Sequence, residues 1–165
     1  MKIGIISDTH DNLPRIKEAV EIFNRKKVEL VLHAGDFVSP FTALEFKNLH
    51  CPLKGVFGNN DGDKLYLQKK FKEIGEICPV PYEANINHRN IIMLHKEKLI
   101  NNLAESQKYE VIIYGHTHRT DLRKIGKTLI INPGECGGWL TGKSTIALLD
   151  MKTLEAKIIN LANSG

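Results

Sequence analysis

The chain has 165 residues, 42% apolar and 25% charged, with 13 Gly, 6 Pro, 3 Cys and a formal net charge of +4. At ~100–200 residues per domain this is the length of a single domain, residues 1–165, with enough chain to bury a sizeable core, which excludes a multi-domain machine and a disordered tail. No run approaches the ~18 consecutive apolar residues of a membrane span, and the opening Met1–Asp8 turns acidic too soon for a secretory signal, so a soluble, cytoplasmic protein with no membrane partner is expected.

Lys2–Ser7 is a continuous apolar run with a polar end, the pattern of a strand covered on both faces. Leu13, Ile16, Val20 and Phe23 then recur at helical spacing, with Pro14 tolerated in the first turn. A second strand is predicted over Val28–His33, a helix over Phe41–Leu49 behind Ser39-Pro40, and a third strand over Leu53–Phe57 closing on Gly58. Lys64–Glu73 reads as a helix that Asp63 can cap. Strand and helix alternate to this point, the signature of a parallel sheet. Tyr82–Ile86 and Asn90–Leu94 read as strands joined by a turn, 98–107 as one more helix, and Val111–Tyr114 as a buried strand. The strand-like runs at 120–125, 128–131, 144–149 and 155–160 have no helical pattern between them, so this half is expected to be mostly antiparallel. The predicted fold class is α/β, with two packed mixed β-sheets flanked by helices.

Cys51, Cys78 and Cys136 are widely separated and form no Cys-x-x-Cys pair. Neither a disulfide framework nor a thiolate zinc site is indicated, and the three read as reduced and structural. The basic clusters Arg25-Lys26-Lys27 and Lys69-Lys70-Phe71-Lys72 read as solvated helix faces, and nucleic acid is not an expected partner.

The informative pattern is where Asp, Asn and His fall. Asp8-Thr9-His10 follows the first predicted strand, Gly35-Asp36 the second and Gly58-Asn59-Asn60-Asp61 the third. His95 follows the strand ending at Leu94, and Gly115-His116-Thr117-His118 the strand ending at Tyr114. Five strands thus each deliver a metal-competent side chain at the carboxyl end, where open α/β sheets place their ligand sites. Any one of these pieces alone reads as a polar turn or a surface histidine. Their coincidence at matching strand ends points to one site. Carboxylate, amide oxygen and imidazole without thiolate suit a divalent ion of intermediate hardness and argue against an all-oxygen calcium site.

Asp8-x-His10, Gly35-Asp36, Gly58-Asn59, His95 and Gly115-His116-x-His118, in this order, resemble the calcineurin-like metallophosphoesterase family. The likeness extends to Ser7-Asp8-Thr9-His10-Asp11-Asn12, His33-Ala34-Gly35-Asp36 and Asn132-Pro133-Gly134, and points to the small single-domain archaeal and bacterial phosphodiesterase branch. The resemblance implies a four-layer αββα sandwich and a two-metal site. One ion would be held by Asp8, His10 and His118, the other by Asn59, His95 and His116, with Asp36 bridging. Manganese is the first expectation, with Ni, Fe, Co and Zn as alternatives. The implied reaction is hydrolysis of a small-molecule phosphodiester by a hydroxide bridging the two ions, with Asp36, His95 and Asn60 as the residues expected to act in catalysis. The rival reading is a non-catalytic interaction scaffold of the same fold, like the small retromer scaffold subunit. Retention of all seven candidate ligand positions speaks against it. A metal-dependent amide or ester hydrolase is a third reading.

Two positions depart from the family pattern. Where many relatives carry a histidine paired with an acid, this chain has Asn60-Asp61. Asn60 can donate a hydrogen bond but no proton, which predicts a preference for diesters with good leaving groups and leaves Asp61 a turn or helix-start role. After His95, relatives commonly carry glycine where this chain has Lys96-Glu97, which bears on the geometry of His95. His33 reads as a core or supporting residue, His50 and His88 as surface residues, and Glu135-Cys136 as part of a tight turn. Trp139 reads as a packing or interface residue, and with the edge strands it leaves room for a homodimer.

Overall fold

The computed structural model describes residues 1–161. In chain order its elements are β1 (Lys2–Ile6), α1 (Leu13–Lys26), β2 (Leu30–His33), α2 (Ala43–Phe46), β3 (Leu53–Val56), α3 (Lys64–Phe71), β4 (Gly75–Cys78), β5 (Tyr82–Ile86), β6 (Arg89–Met93), α4 (Ile100–Glu105), β7 (Val111–Ile113), β8 (Thr120–Ile125), β9 (Thr128–Pro133), β10 (Thr145–Asp150) and β11 (Glu155–Asn160). Short 3-10 turns, Pro40–Thr42 and Glu97–Leu99, lead into α2 and α4.

The strands form two mixed sheets, as expected. The first has the order β11-β10-β1-β2-β3-β4, with β1 to β4 parallel and β10 and β11 antiparallel; the second has the order β5-β6-β7-β9-β8. In the second sheet β7 runs parallel to both neighbours, while the outer pairs β5–β6 and β8–β9 are antiparallel. The predicted antiparallel half therefore has a parallel centre. β4 was not legible: Gly75-Glu76-Ile77-Cys78 is too short and too polar to stand out as an apolar run, and pairing with β3 makes it a strand.

Side-chain alternation divides the interior into three apolar layers. Ile3, Ile5, Leu32, Met93, Ile113 and Ile131 pack between the sheets. Ile6, Val31 and Leu53 face the other way, against Ile16, Val20 and Phe23 of α1 and against Phe46, Leu67 and Phe71. Ile92, Ile112 and Ile130 on the far side of the second sheet meet Ile100 and Ala104 of α4. Both faces of the central strands are covered, which is why they read as unbroken apolar runs. The result is four layers.

Helix ends account for the boundary shifts. Lys27 adopts a left-handed conformation (φ 53°), and the Val28 N–H bonds back to the Phe23 carbonyl at 3.2 Å, so Val28 closes α1 and β2 begins at Leu30. Asp63 caps α3 as anticipated, accepting from the Tyr66 N–H at 3.0 Å, but the helix stops at Phe71. Phe71 closes an aromatic cluster, 5.1 Å from the Phe37 ring and 5.6 Å from Phe46, with His33 stacked on Phe37 at 3.5 Å. This cluster supports the loop after β2 from below. Phe71→Ala should lower unfolding free energy by about 3–5 kcal/mol in urea denaturation. A loss under about 1 kcal/mol would mean that α3 is not anchored there.

Candidate metal centre

Strands from both sheets deliver polar side chains to one place. Asp8 and His10 follow β1, Asp36 follows β2, Asn59 follows β3, His95 follows β6, and His116 and His118 follow β7. Backbone bonds zip the loops together: the Asp8 N–H donates to the Gly35 carbonyl at 3.0 Å, His10 N–H to Asp36 at 3.2 Å, and Gly115 N–H to His95 at 3.1 Å. Two glycines permit the close approach. A Cβ on Gly58 would collide with Asp36 Oδ1, and one on Gly115 with Ser7 Oγ.

The side chains converge as two clusters of potential donors. Ligand atoms of Asp8, His10, Asp36 and His118 lie within 4.8 Å of one another, and so do those of Asp36, His95 and His116. Asp36 belongs to both. His10 Nε2 is 3.5 Å from Asp36 Oδ2, His95 Nε2 is 3.4 Å from the same oxygen, and His118 Nε2 is 3.6 Å from Asp8 Oδ1. Asn59 joins the second cluster through its Oδ1, 3.0 Å from His95 Nε2. Asn60 lies at the same mouth, its backbone N–H donating to Asp36 Oδ1 and its amide to Oδ2, each at 2.8 Å.

Hydrogen bonding sets which atoms face inward. His95 Nδ1 contacts the Ala34 carbonyl at 2.8 Å, where a ring N–H must donate, so Nε2 is the ring atom turned toward Asp36 and Asn59: protonated it donates to them, and deprotonated it offers its lone pair to a cation. His118 Nδ1 lies 2.9 Å from Glu135 Oε2, which orients its Nε2 in the same way. Among the described residues, His10 Nε2 is a buried side-chain nitrogen with no hydrogen-bond partner, an atom placed to bind something further. Burial pushes the Asp8 carboxyl up, only partly offset by the Ser7 hydroxyl at 2.6 Å. Burial acts on Asp36 too, but the His95 ring and the Asn60 donors outweigh it and hold it well below the usual carboxylate range. An ionised carboxylate among inward imidazole nitrogens, one of them unpartnered, fits divalent cations of intermediate hardness.

Sequence reasoning had left two carboxylates as ordinary turn residues. Glu135 is fully buried and accepts from Leu140 N–H and the Thr141 hydroxyl as well as facing His118. Burial raises its pKa, and these bonds with the His118 ring more than reverse the effect, so it is ionised where it meets the imidazole. Its signal in the chain was its place just past a buried strand, after Asn132-Pro133-Gly134. Asp61 does more than turn the chain: it accepts from the backbone N–H groups of Gly58 at 2.7 Å, Val38 at 2.8 Å and Asp36 at 3.2 Å. Lys96 is exposed, with φ −91° and ψ 150°, extended backbone open to any residue, so the absent glycine costs His95 nothing. His33 lies beneath the site, its Nδ1 accepting from Gly35 N–H at 3.1 Å. Trp139 is exposed, and its indole N–H donates to the His10 carbonyl at 3.1 Å.

Fold and donor set together define a metallophosphoesterase-type centre, and residues 1–154 match the Calcineurin-like phosphoesterase superfamily domain. The chain belongs to that family. It is 43% identical to Phosphodiesterase MJ0936 of Methanocaldococcus jannaschii over 98% of this chain and 99% of the relative. A solved structure described as a novel archaeal phosphodiesterase superposes with a TM-score of 0.93 at 42% identity, covering 98% of this chain and 100% of that one. The zinc complex of Vps29 from Entamoeba histolytica superposes with a TM-score of 0.76 at 17% identity, covering 100% and 95%, which speaks to the fold alone. Among the described residues no helix is long and apolar enough to cross a membrane.

Glu135→Gln keeps the shape of the side chain but removes the charge facing His118 Nδ1. Calorimetric titration with Mn²⁺ should show affinity at the first cluster falling about 10–100-fold. Unchanged affinity would confine Glu135 to holding its own loop.

Proposed function

We propose that this protein is a metal-dependent phosphodiesterase acting on a small-molecule substrate. The observation that supports this most is that a single buried carboxylate, Asp36, takes part in both donor clusters. In this reading Asp8, His10 and His118 hold one divalent ion, Asn59, His95 and His116 hold the other, and Asp36 is shared. Manganese is the favoured ion, with nickel, iron, cobalt and zinc compatible with the same donors. The two ions, when bound, supply the acidity that makes hydroxide available near neutral pH and the positive charge that phosphoryl oxygens require.

The rest falls to the chain's own residues. Asp36 is kept ionised and oriented by Asn60, whose two N–H donors reach its two oxygens. His95 and His118 are oriented with Nε2 inward by the contacts of their Nδ1 atoms with Ala34 and Glu135. Asn60 lies exposed at the mouth and presents an amide where a phosphoryl oxygen would arrive, but the amide has no proton of usable acidity. The leaving oxygen therefore departs without a proton from this position, and substrates with acidic leaving groups are favoured. The phosphodiesterase name of the relative that matches nearly the whole chain agrees with this reading. A scaffold of the same fold would have no need of a full donor set, nor of a buried nitrogen left without a partner.

Dialysis against a chelator should abolish hydrolysis of bis(4-nitrophenyl) phosphate, and Mn²⁺ should restore it with two ions per chain. Less than one bound ion with no turnover would favour the scaffold. Asn60→His should raise turnover of alkyl esters more than that of aryl esters, by up to ~10²-fold, when kcat/KM is plotted against leaving-group pKa. An unaltered slope would show that the missing proton donor does not set the substrate preference.

A further inference from the structure

Beside the second donor cluster opens a groove of about 770 Å³, with His95 and Asn59 at one end. Its walls are Phe57, Pro79, Val80, Leu94 and Leu99, and Lys64, Lys96 and Lys98 stand around it. No carboxylate lines it, and among the described residues none of the three lysines is paired with an acid. Val80 and Leu99 are about half exposed, at 47% and 56%, so apolar surface has been left for something to cover. Lys64 Nζ lies 5.2 Å from the centre of the Phe57 ring, which puts positive charge and a flat apolar face at the same point.

We propose that this groove receives one arm of the substrate, and that the arm is a planar aromatic group carrying a second anionic group. The inference rests on the phosphodiesterase reading, which puts the scissile phosphoryl group at the donor clusters and so leaves the groove to what is attached to it. Its volume falls within the ~300–1,000 Å³ of small-molecule sites, far more than a phosphoryl group needs. Its apolar walls, Pro79, Val80, Leu94 and Leu99, suit a ring. The three exposed lysines, with no acid among the lining residues, favour negative charge beyond the diester itself. A simple alkyl arm would leave those lysines without a counter-charge, and a neutral aromatic arm would do the same.

Three substrates separate these terms: methyl 4-nitrophenyl phosphate, thymidine 5′-(4-nitrophenyl phosphate), and the same thymidine ester with a 3′-phosphate. With the Mn²⁺-loaded enzyme, kcat/KM should rise along the series. The last step should be about tenfold, the combined worth of two exposed ion pairs, and should shrink at high salt. The double variant Lys64→Gln/Lys98→Gln should lose that last step. Equal kcat/KM for all three substrates, or a double variant that keeps the preference, would overturn the inference. Thymidine 3′,5′-bisphosphate binding to the metal-free full chain, followed by calorimetry, gives a readout independent of turnover. Both the double variant and Val80→Asp should weaken it about tenfold. If binding weakens so while the loaded wild type hydrolyses none of the esters, the groove stands and the phosphodiesterase reading falls. If binding is unaltered in both variants, the groove assignment falls whatever the esters do.

Discussion

The site is built around the burial of two carboxylates. Asp8 and Asp36 are both fully removed from solvent, and an isolated buried carboxylate is costly unless donors surround it. The fold supplies those donors from neighbouring loops. Asp8 receives the Ser7 hydroxyl and the His116 N–H, and Asp36 receives both donors of Asn60. This arrangement strains the backbone. Asp8, His10, Asp36, His116 and His118 all have φ between 41° and 68°, a left-handed conformation that costs a non-glycine residue on the order of 1 kcal/mol. Asp and His tolerate the region better than most residues, but such a concentration at one end of the molecule persists only because the surrounding structure enforces it. The loops cannot relax without breaking the bonds that zip β1 to β2 and β6 to β7.

The packing of the two sheets therefore sets the geometry of the centre. Asp8 comes from β1 in one sheet and His118 from β7 in the other, and their 3.6 Å approach is fixed by what lies between the sheets. Ile3 and Ile5 on β1 and Val111 and Ile113 on β7 share that apolar layer, a few residues before the donor side chains. A substitution there that altered the separation would be felt at the donor atoms, because close-packed interiors transmit strain. Stability and ligand geometry are thus two readings of the same layer. The helix-side aromatic cluster does the same for the Asp36 loop through Phe37 and His33, and His33 Nε2 also meets the Thr9 hydroxyl between Asp8 and His10 at 3.2 Å.

How much of this could be read in the chain depended on whether a residue's partners were near it in sequence. The central strands were legible because burial on both faces writes an uninterrupted apolar run, as in Ile3–Ile6 and Val111–Ile113. The convergence of Asp8, Asp36, Asn59, His95 and His116 was legible because each falls two or three residues past the end of a strand. β4 was not, since its identity as a strand comes from pairing with β3 rather than from Gly75-Glu76-Ile77-Cys78. Glu135 was not, since nothing near it reveals that His118, 17 residues away, is its partner. The lysine after His95 raised a question about geometry that only the backbone angles could answer, and they are those of ordinary extended chain.

Asn60 and Asp61 divide two tasks between neighbours, Asn60 touching Asp36 and Asp61 holding the loops. If the acid beside position 60 served only to orient a proton donor, its purpose would vanish when that donor is an asparagine. Asp61 instead holds three backbone N–H groups, those of Asp36, Val38 and Gly58, from two ligand-bearing loops. Removing the carboxylate would leave those donors buried without acceptors, each costing about 1–3 kcal/mol, and would loosen Asp36 and Asn59 together. Val38 needs the support most: its φ of 85° is far outside what a β-branched residue adopts unaided. The backbone frame around the second cluster is thus held by Asp61 whatever side chain stands at position 60. The Asn60 side chain reaches Asp36 Oδ2 through its amide, so a change at position 60 bears on that carboxylate directly, while the three backbone bonds to Asp61 still hold both loops in place.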